Sequence, residues 1–96
     1  MPSQIVWLPG GSRDVERLRD FIKSKNPRAA QRAAKRIIEG LKLLQDNPAA
    51  GTPVEELTDY HELTLSFGSG EYIIRYRQEV NRVVIARVRH SKDDGF

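Results

Sequence analysis

Apolar residues recur at three- and four-residue intervals in the first half of the chain, whereas in the second half they alternate with polar ones. The first pattern is typical of amphipathic helices, and the second is typical of strands that bury one face. A short apolar run at Gln4–Trp7, closed by proline and glycine, precedes the helical part and predicts a first strand. The pattern therefore predicts one strand, two helices and then further strands, which is an α+β fold.

The first helix is predicted over residues 13–24, with Ser12 at the N-cap position. Its apolar stripe consists of Val15, Leu18 and Ile22. Asn26 and Pro27 end this helix and begin the next one, because asparagine is a good N-cap and proline is tolerated at the first helical position. The chain therefore passes from one helix to the other through a very short break.

The second helix has the clearest apolar stripe of the chain. The stripe consists of Ala30, Ala34, Ile37, Leu41 and Leu44. Alanines at its start let a neighbouring helix or sheet approach closely, and the larger residues at its far end supply most of the buried area. Asn47-Pro48 ends the helix, and residues 51–53 are assigned to the loop beyond it. Two amphipathic helices joined by so short a break predict an antiparallel helical hairpin.

The last third of the chain predicts a three-stranded antiparallel meander. A strand over residues 61–67 is followed by a glycine-rich turn at 68–70. A terminal hairpin then has strands at 71–77 and Arg82–His90, joined by a polar turn around residues 79–81. We expect both helices to pack on one face of this sheet, and residues 1–96 to form a single domain.

Arginines collect on one predicted face of the terminal hairpin. In the last strand, alternation separates Val84, Ala86 and Val88 from Val83, Ile85, Arg87 and Arg89. Arg75 and Arg77 share a face of the preceding strand. Pairing across the hairpin would make a cluster suited to an anionic partner, consisting of Arg75, Arg77, Arg87 and Arg89. The alternative is that each arginine pairs with a nearby acid such as Glu62, Glu71 or Glu79.

Composition narrows the class of protein further. The formal net charge is +3, and arginine and lysine are concentrated in the first half of the chain. The chain has no cysteine, which excludes a disulfide framework or thiolate metal site and fits a reducing cytoplasm. No apolar run approaches the length of a membrane span, and the N-terminus lacks a signal-peptide pattern. We therefore expect a cytoplasmic protein with no membrane partner.

Two residues near the end of the chain are candidates for chemistry or stacking. His90 ends the last strand, where an imidazole can act as general acid or base near neutral pH. By alternation it falls on the apolar face with Val88, where a lone histidine is more often a structural hydrogen-bonding group. Phe96 could stack on a base or pack back onto the sheet, and packing back is favoured. His61 and His90 are too few for a metal site, and no phosphate loop or cofactor motif occurs.

Several stretches of this chain resemble the ParE branch of the RelE/ParE toxin superfamily. They are FG-x-GEY-x-x-x-YR from Phe67 to Arg77, VVIARVRH over residues 83–90, the NP-x-AA-x-R start of the second helix, the NPAAG-x-P stretch after it and the tail ending in Gly95-Phe96. Their order and spacing are specific together, and they cover nearly the whole chain. The resemblance implies the toxin of a type II toxin–antitoxin pair, often described as a plasmid stabilisation protein, with a strand–helix–helix–strand–strand–strand fold.

The same resemblance implies two different targets. ParE-like members poison DNA gyrase and are not known to need catalytic residues, whereas RelE-like members cut messenger RNA on the ribosome with basic side chains and a C-terminal tyrosine or equivalent. This sequence departs from the RelE pattern, since strand 61–67 has no lysine or arginine and no arginine directly follows Tyr72. Some ribonuclease branches use a histidine near the last strand and a terminal phenylalanine, and His90 and Phe96 keep that alternative open.

We therefore predict a ParE-like inhibitor of gyrase, growth-inhibiting and neutralised by a cognate antitoxin encoded by an adjacent gene. The target-binding candidates are Arg75, Arg77, Arg87, Arg89 and Phe96. The first alternative is a ribosome-dependent mRNA endonuclease, in which Arg75, Arg87 or Arg89 stabilises phosphate charge and His90 moves a proton. The second alternative is a non-toxic module that binds the antitoxin as a co-repressor. None of these functions requires a cofactor.

Overall fold

One mixed five-stranded sheet and two helices make up the computed structural model, which describes residues 2–92. The elements are β1 (Gln4–Trp7), α1 (Pro9–Lys25), α2 (Pro27–Asp46), β2 (Thr52–Pro53), β3 (Tyr60–Phe67), β4 (Gly70–Glu79) and β5 (Arg82–His90). The strand order is β1-β5-β4-β3-β2, with β1 parallel to β5 and the other neighbours antiparallel. The predicted α+β fold, with a first strand, a helical hairpin and an antiparallel meander, is confirmed.

The hydrophobic core lies between the helices and one face of the sheet. Tyr72, Ile74 and Tyr76 of β4 form its centre, and each is at most 1% exposed. Buried side chains of both helices pack on them, as do those of the neighbouring strands β3 and β5. These helical residues are Leu18, Ala33, Ile37 and Leu44. Both helices therefore cover the same face of the sheet, and we call the opposite face the outer face.

The segment after α2 contains a short strand where the sequence predicted only a loop. Thr52 and Pro53 pair with Glu62 and His61 of β3. A strand of two residues has no alternating pattern that could be detected, and its pairing partners lie eight and ten residues further along the chain. Proline is tolerated here because β2 is an edge strand.

Helix α1 begins earlier than predicted. Pro9 is its first residue, Leu8 is the N-cap without a side-chain hydrogen bond, and Ser12 lies inside the helix. Gly10 and Gly11, which follow the first strand, belong to the first turn of the helix, and this turn approaches β5 closely. A Cβ atom on Gly11 would lie 2.8 Å from the carbonyl oxygen of Ile85, so only glycine fits this contact.

Helix α2 begins as predicted but buries a different stripe. The side chain of Asn26 accepts hydrogen bonds from the backbone N–H groups of Arg28 and Ala29, at 3.1 and 3.2 Å. The buried residues are Ala30, Ala33, Ile37, Gly40 and Leu44. Ala34, which the sequence placed on the stripe, is exposed. Steps of three and of four residues both keep a side chain on one face of a helix, so spacing alone suits Ala33 and Ala34 equally. The contact of α2 with the sheet decides which of the two is buried.

A β-bulge in β5 changes which residues face the core. Arg75 lies opposite Arg87, but Tyr76 lies opposite Ile85, so Ala86 is an extra residue in β5. The bulge reverses the alternation, and Val83 and Ile85 therefore join the core on the same face as Val88. The predicted separation of Val83 and Ile85 from Val88 is wrong, because simple alternation assumes that no residue is inserted.

Hydrogen bonds of the Tyr76 hydroxyl join the loop after α2 to the centre of the sheet. Its hydroxyl donates to the carbonyl oxygen of Pro48 at 2.7 Å and accepts from the N–H of Gly51 at 2.9 Å. Burial raises the pKa of Tyr76 above its usual value, and the Gly51 N–H offsets part of that rise. The neutral phenol is therefore the form that stabilises this fold.

The position of the buried stripe is tested by two neighbouring substitutions. We expect Ala33→Phe to lower the free energy of unfolding by about 1–3 kcal/mol, because Ala33 is only 5% exposed and a larger side chain overpacks the core. Ala34→Phe is the matched control and should change stability by less than about 0.5 kcal/mol. Urea denaturation of both variants measures the difference, and equal losses would contradict the observed stripe.

The Tyr76 contacts predict a loss of stability and a change in its pH dependence. Tyr76→Phe should cost about 1–3 kcal/mol at neutral pH, because Pro48 and Gly51 lose a buried hydrogen-bond partner. In the native protein, stability should fall as the pH rises past about 10, since the unfolded chain then loses the Tyr76 proton before the folded chain does. Tyr76→Phe should flatten that alkaline fall.

Tyr60→Phe is the control for this prediction, because Tyr60 is on the outer face and only half-buried. Its stability at neutral pH should stay within about 0.5 kcal/mol of the native value. Thermal melts of the three proteins at neutral and alkaline pH make the comparison. A Tyr76→Phe protein as stable as the native one would show that the loop does not depend on this hydroxyl.

Candidate functional site

The predicted arginine cluster lies around the outer face of the sheet, and carboxylates surround it. Arg75 and Arg87 are directly opposite each other across the β4–β5 hairpin, while Arg89 lies opposite Ile73 and Arg77 lies opposite Val84. The hairpin therefore brings Arg75 and Arg87 together, as the sequence predicted. Acidic side chains of β3, β4 and α1 reach the same region and balance much of this positive charge.

Arg75 forms an ion pair with Glu62 of β3. Its Nε and Nη2 atoms lie 2.9 and 2.8 Å from Oε2 of that carboxylate. The two residues are cross-strand neighbours in the β3–β4 register. Both side chains are less than one third exposed, so this pair is shielded from water more than an ordinary surface ion pair.

Glu79 bridges Arg77 and Arg82 at the end of the hairpin. Its carboxylate accepts from Arg77 Nε at 2.8 Å and also bonds with Arg82. The bond with Arg82 and then that with Arg77 hold the pKa of Glu79 below its usual value, and the bond with Glu79 raises the pKa of Arg77. The guanidinium of Arg77 also lies 5.9 Å from the ring centroid of Tyr60, within the range of a cation–π contact.

Arg87 pairs with Asp14, a residue of α1 that the sequence analysis did not single out. Its Nε atom lies 2.7 Å from Oδ2 of Asp14 and its Nη2 atom 3.2 Å from Oδ1. The same carboxylate accepts the backbone N–H of Val88 at 2.9 Å. The bond from Asp14 raises the pKa of Arg87. Asp14 therefore binds the edge of β5 beyond the end of β1, where no β1 residue pairs with β5.

A signal for Asp14 was present in the sequence. The buried positions of α1 are Gly11, Asp14 and Leu18, which follow one another at helical spacing. An acid on the buried stripe of a helix requires a partner inside the protein, because an unpaired buried charge is costly. The spacing could have marked Asp14 as paired, but only the fold identifies Arg87 and Val88 as its partners.

His90 lies on the core face of the sheet, as alternation predicted. It is opposite Tyr72, and the two rings meet edge to face with centroids 5.2 Å apart. Its Nδ1 atom accepts the backbone N–H of Lys92 at 3.2 Å. Arg75 is opposite Arg87 and Arg89 is opposite Ile73, and these pairs alternate with the core-face pairs. His90 and the two arginines therefore lie on different faces of the sheet. The fifth candidate, Phe96, lies outside the described residues.

The described part of the chain offers no evident site for a metal ion. Within residues 2–92, no three histidine, aspartate or glutamate side chains are grouped so that they could hold one. Nor is any helix among these residues long and apolar enough to cross a membrane.

Comparison with known protein families identifies the class of protein. The model of the ParE toxin of type II toxin–antitoxin systems matches residues 5–95. Toxin RelE3 of Caulobacter vibrioides is 35% identical over 83 residues, which are 86% of this chain and 88% of that toxin. Toxin RelE1 of the same organism is 33% identical over 79 residues, which are 82% of this chain and 83% of that toxin.

Solved structures of two toxin–antitoxin systems have a similar fold. A chain of the chromosomal ParDE system from P. aeruginosa has a TM-score of 0.69 and 24% identity, and the match covers 90% of this chain and 92% of that one. A chain of the toxin–antitoxin complex RelBE2 from Mycobacterium tuberculosis has a TM-score of 0.61 and 28% identity, with 97% and 95% covered.

The chain belongs to the ParE toxin family, and it is the toxin component of a type II toxin–antitoxin system. The predicted membership of the RelE/ParE superfamily is confirmed. Proteins named ParE and proteins named RelE both occur among the matches, as is expected within one superfamily.

The role of Asp14 is open to a direct test. We expect Asp14→Ala to lower the free energy of unfolding by about 1–3 kcal/mol, because the Val88 N–H and the Arg87 guanidinium lose their shared acceptor. Asp20→Ala on the same helix is the control: its contact with Arg19 is 3.9 Å long and both side chains are well exposed, so the change should be under about 0.5 kcal/mol. Chemical denaturation measures both, and an Asp14→Ala protein of native stability would show that this contact is dispensable.

Proposed function

We propose that this toxin inhibits DNA gyrase by binding to it and does not cut RNA. The observation that carries the proposal is the placement of His90 on the core face, while Arg75 and Arg89 lie on the outer face. A general acid or base must come within hydrogen-bond reach of the atom whose proton it moves. A substrate phosphate held by these arginines would have the sheet between it and the imidazole.

The ion pairs of the outer face support the same proposal. Arg75 is engaged by Glu62, Arg77 by Glu79, and Arg87 by Asp14. To hold a phosphate, each of these arginines would have to break its ion pair or share its guanidinium group between the carboxylate and the phosphate. A surface of balanced charges and hydroxyls suits recognition of another protein, where charge complementarity fixes orientation and specificity.

A cognate antitoxin, encoded by a neighbouring gene, is the partner proposed to hold the toxin inactive in the cytoplasm. The structural relatives were solved as toxin–antitoxin systems. On this chain, residues 9–46 contain ten lysines and arginines against five aspartates and glutamates. The net positive charge therefore resides on the helical layer, and an acidic antitoxin segment would be attracted to it.

The second candidate is a ribosome-dependent mRNA endonuclease. It is favoured by the names of the two relatives at 35% and 33% identity, which are both RelE toxins. The direct opposition of Arg75 and Arg87 would then provide cationic contacts for the phosphate backbone. In that mechanism His90 would need to reach the cleaved bond from the other face.

The two mechanisms predict different results for one set of experiments. Induced expression should arrest growth, and the purified toxin should reduce supercoiling by gyrase in a concentration-dependent way. His90→Ala should keep that inhibition, provided that its thermal melt shows a folded protein. Ribosome-bound message should remain intact in the presence of the native toxin.

The opposite pattern would overturn the proposal. If gyrase is unaffected while ribosome-bound message is cut, and if His90→Ala lowers the cutting rate by the 10²–10⁴-fold or so that general acid–base catalysis contributes, the chain is an endonuclease. If expression leaves growth unchanged and the chain still binds its antitoxin, the co-repressor function replaces both.

A further inference from the structure

The positive charge of the helical hairpin is concentrated at one end of it. The halves of α1 and α2 that adjoin their junction at Asn26, residues 17–36, contain eight lysines and arginines and one acid, Asp20. The other halves, residues 9–16 and 37–46, contain two lysines and arginines and four acids. Because the helices form a hairpin, the two basic halves lie at the same end of the fold. Solubility requires charge on a surface, but it does not require the two signs to be separated in this way.

Four cations at this end of the hairpin have no acidic partner. Lys23 lies in the last turns of α1, Arg28, Arg32 and Lys35 lie on α2, and all four are exposed. Within residues 2–92, no carboxylate forms an ion pair with any of them. The outer face differs, because three of its arginines are bound to carboxylates. We call these four residues the basic junction, and their charge is available to an anionic partner.

The three cations on α2 form a row along the exposed side of the helix. Arg28, Arg32 and Lys35 are separated by four and three residues, a spacing that keeps side chains on one face. At a rise of about 1.5 Å per residue, the row is about 10 Å long. A DNA strand carries one phosphate about every 3.4 Å along the helix axis, so the row can face roughly three successive phosphates. Its length and spacing therefore suit a regular polyanion.

The surroundings of this row favour a nucleic acid over a protein as the partner. Between residues 28 and 35, the other exposed positions of α2 are Gln31 and Ala34. The centre of a stable protein interface is depleted in charge and rich in large apolar or aromatic side chains, and no such centre lies among residues 28–35. The phosphate backbone of a nucleic acid is bound chiefly by lysine and arginine and requires no apolar core.

We propose that the basic junction binds the phosphate backbone of double-stranded DNA, independently of base sequence. Contacts to phosphates position a protein on the duplex but carry no information about the bases. The inference goes beyond the gyrase proposal. In that proposal, this contact would hold the toxin on the DNA on which gyrase acts, but binding to DNA can be measured without the enzyme.

Titration of the purified, full-length toxin into a short fluorescent DNA duplex measures this binding by anisotropy. We expect duplexes of unrelated sequence to bind with the same affinity, and the affinity to fall as salt is added. If all four cations contact phosphates, the slope of log K against log salt concentration should be about −3.6, since each contact contributes about −0.9. Arg28→Gln combined with Arg32→Gln should change the slope to about −1.8.

A double variant with the same loss of charge is the control. Arg13→Gln combined with Lys42→Gln removes two exposed cations from the other end of the hairpin, and its slope should equal that of the native protein. Thermal melts of both double variants should stay close to the native melt, because the four substituted side chains are exposed. If both double variants reduced the slope equally, binding would depend on net charge alone and the proposal would be wrong.

Two further measurements identify the surface and the partner. Backbone amide resonances of residues 23–35 should shift when the duplex is added, whereas those of the outer face should not. Tighter binding to vesicles of anionic lipid or to single-stranded RNA than to the duplex would overturn the choice of DNA, and so would the absence of duplex binding at low salt. None of these assays contains gyrase, so such a result would leave the gyrase proposal to be decided by the supercoiling assay.

Discussion

One extra residue in the last strand, Ala86, determines which side chains of β5 reach the core. The bulge places Val83 and Ile85 on the same face as Val88, so the whole length of β5 contributes to the core beneath the helices. It lies where β5 changes its neighbour from β1 to the first turns of α1. Trp7 is the last β1 residue paired with β5, and beyond it the Val88 N–H is satisfied by the carboxylate of Asp14. A bulge increases local twist and bends the strand, which suits a point where the edge partner changes.

The same arrangement balances the charges of the outer face. Asp14 reaches Arg87 because α1 begins against the bulge, and glycine in its first turn allows the close approach. Glu62 and Glu79 engage Arg75 and Arg77 within the sheet itself. The hairpin that reads as cationic in the sequence is therefore close to neutral in the fold, and the excess positive charge of the protein lies on the helices. This redistribution is the physical reason for preferring a binding surface over a phosphate-cleaving site.

The helical hairpin lies on the side of the protein that carries this positive charge. Small residues of α2, including Ala33 and Gly40, let the helix approach the sheet, and a Cβ atom on Gly40 would contact the side chain of Leu65 at 2.5 Å. Phe21 is a large exposed apolar side chain of α1, and it lines a cavity together with Lys92 of the chain after β5. Apolar surface bordered by cations is the combination that an acidic, amphipathic segment recognises.

Local patterns gave the order of the main elements correctly. Asn26-Pro27 marked the junction of the helices, and the glycine-rich turn after Phe67 marked the start of the terminal hairpin. The errors occurred where two distant segments meet. Ser12 was predicted as the N-cap because proline and glycine precede it, yet it lies inside α1. Ala34 was predicted to be buried because its spacing suits a helix as well as that of Ala33 does. The four arginines were recognised, but the acidic partners of Arg75, Arg77 and Arg87 were only partly anticipated, and Asp14 was missed.

The amino-acid sequence by itself determined the fold class, the helical hairpin, the antiparallel meander and the superfamily, because these follow from short-range periodicity, capping and motif order. Only the tertiary structure decided the parallel pairing of β1 with β5, the bulge at Ala86 and the pairing of Arg87 with Asp14. The β1–β5 pairing and the Arg87–Asp14 contact join residues more than seventy positions apart, and no local pattern encodes which of several chemically suitable partners will meet. The sequence showed where the charges are along the chain, and the fold decided which of them are neutralised.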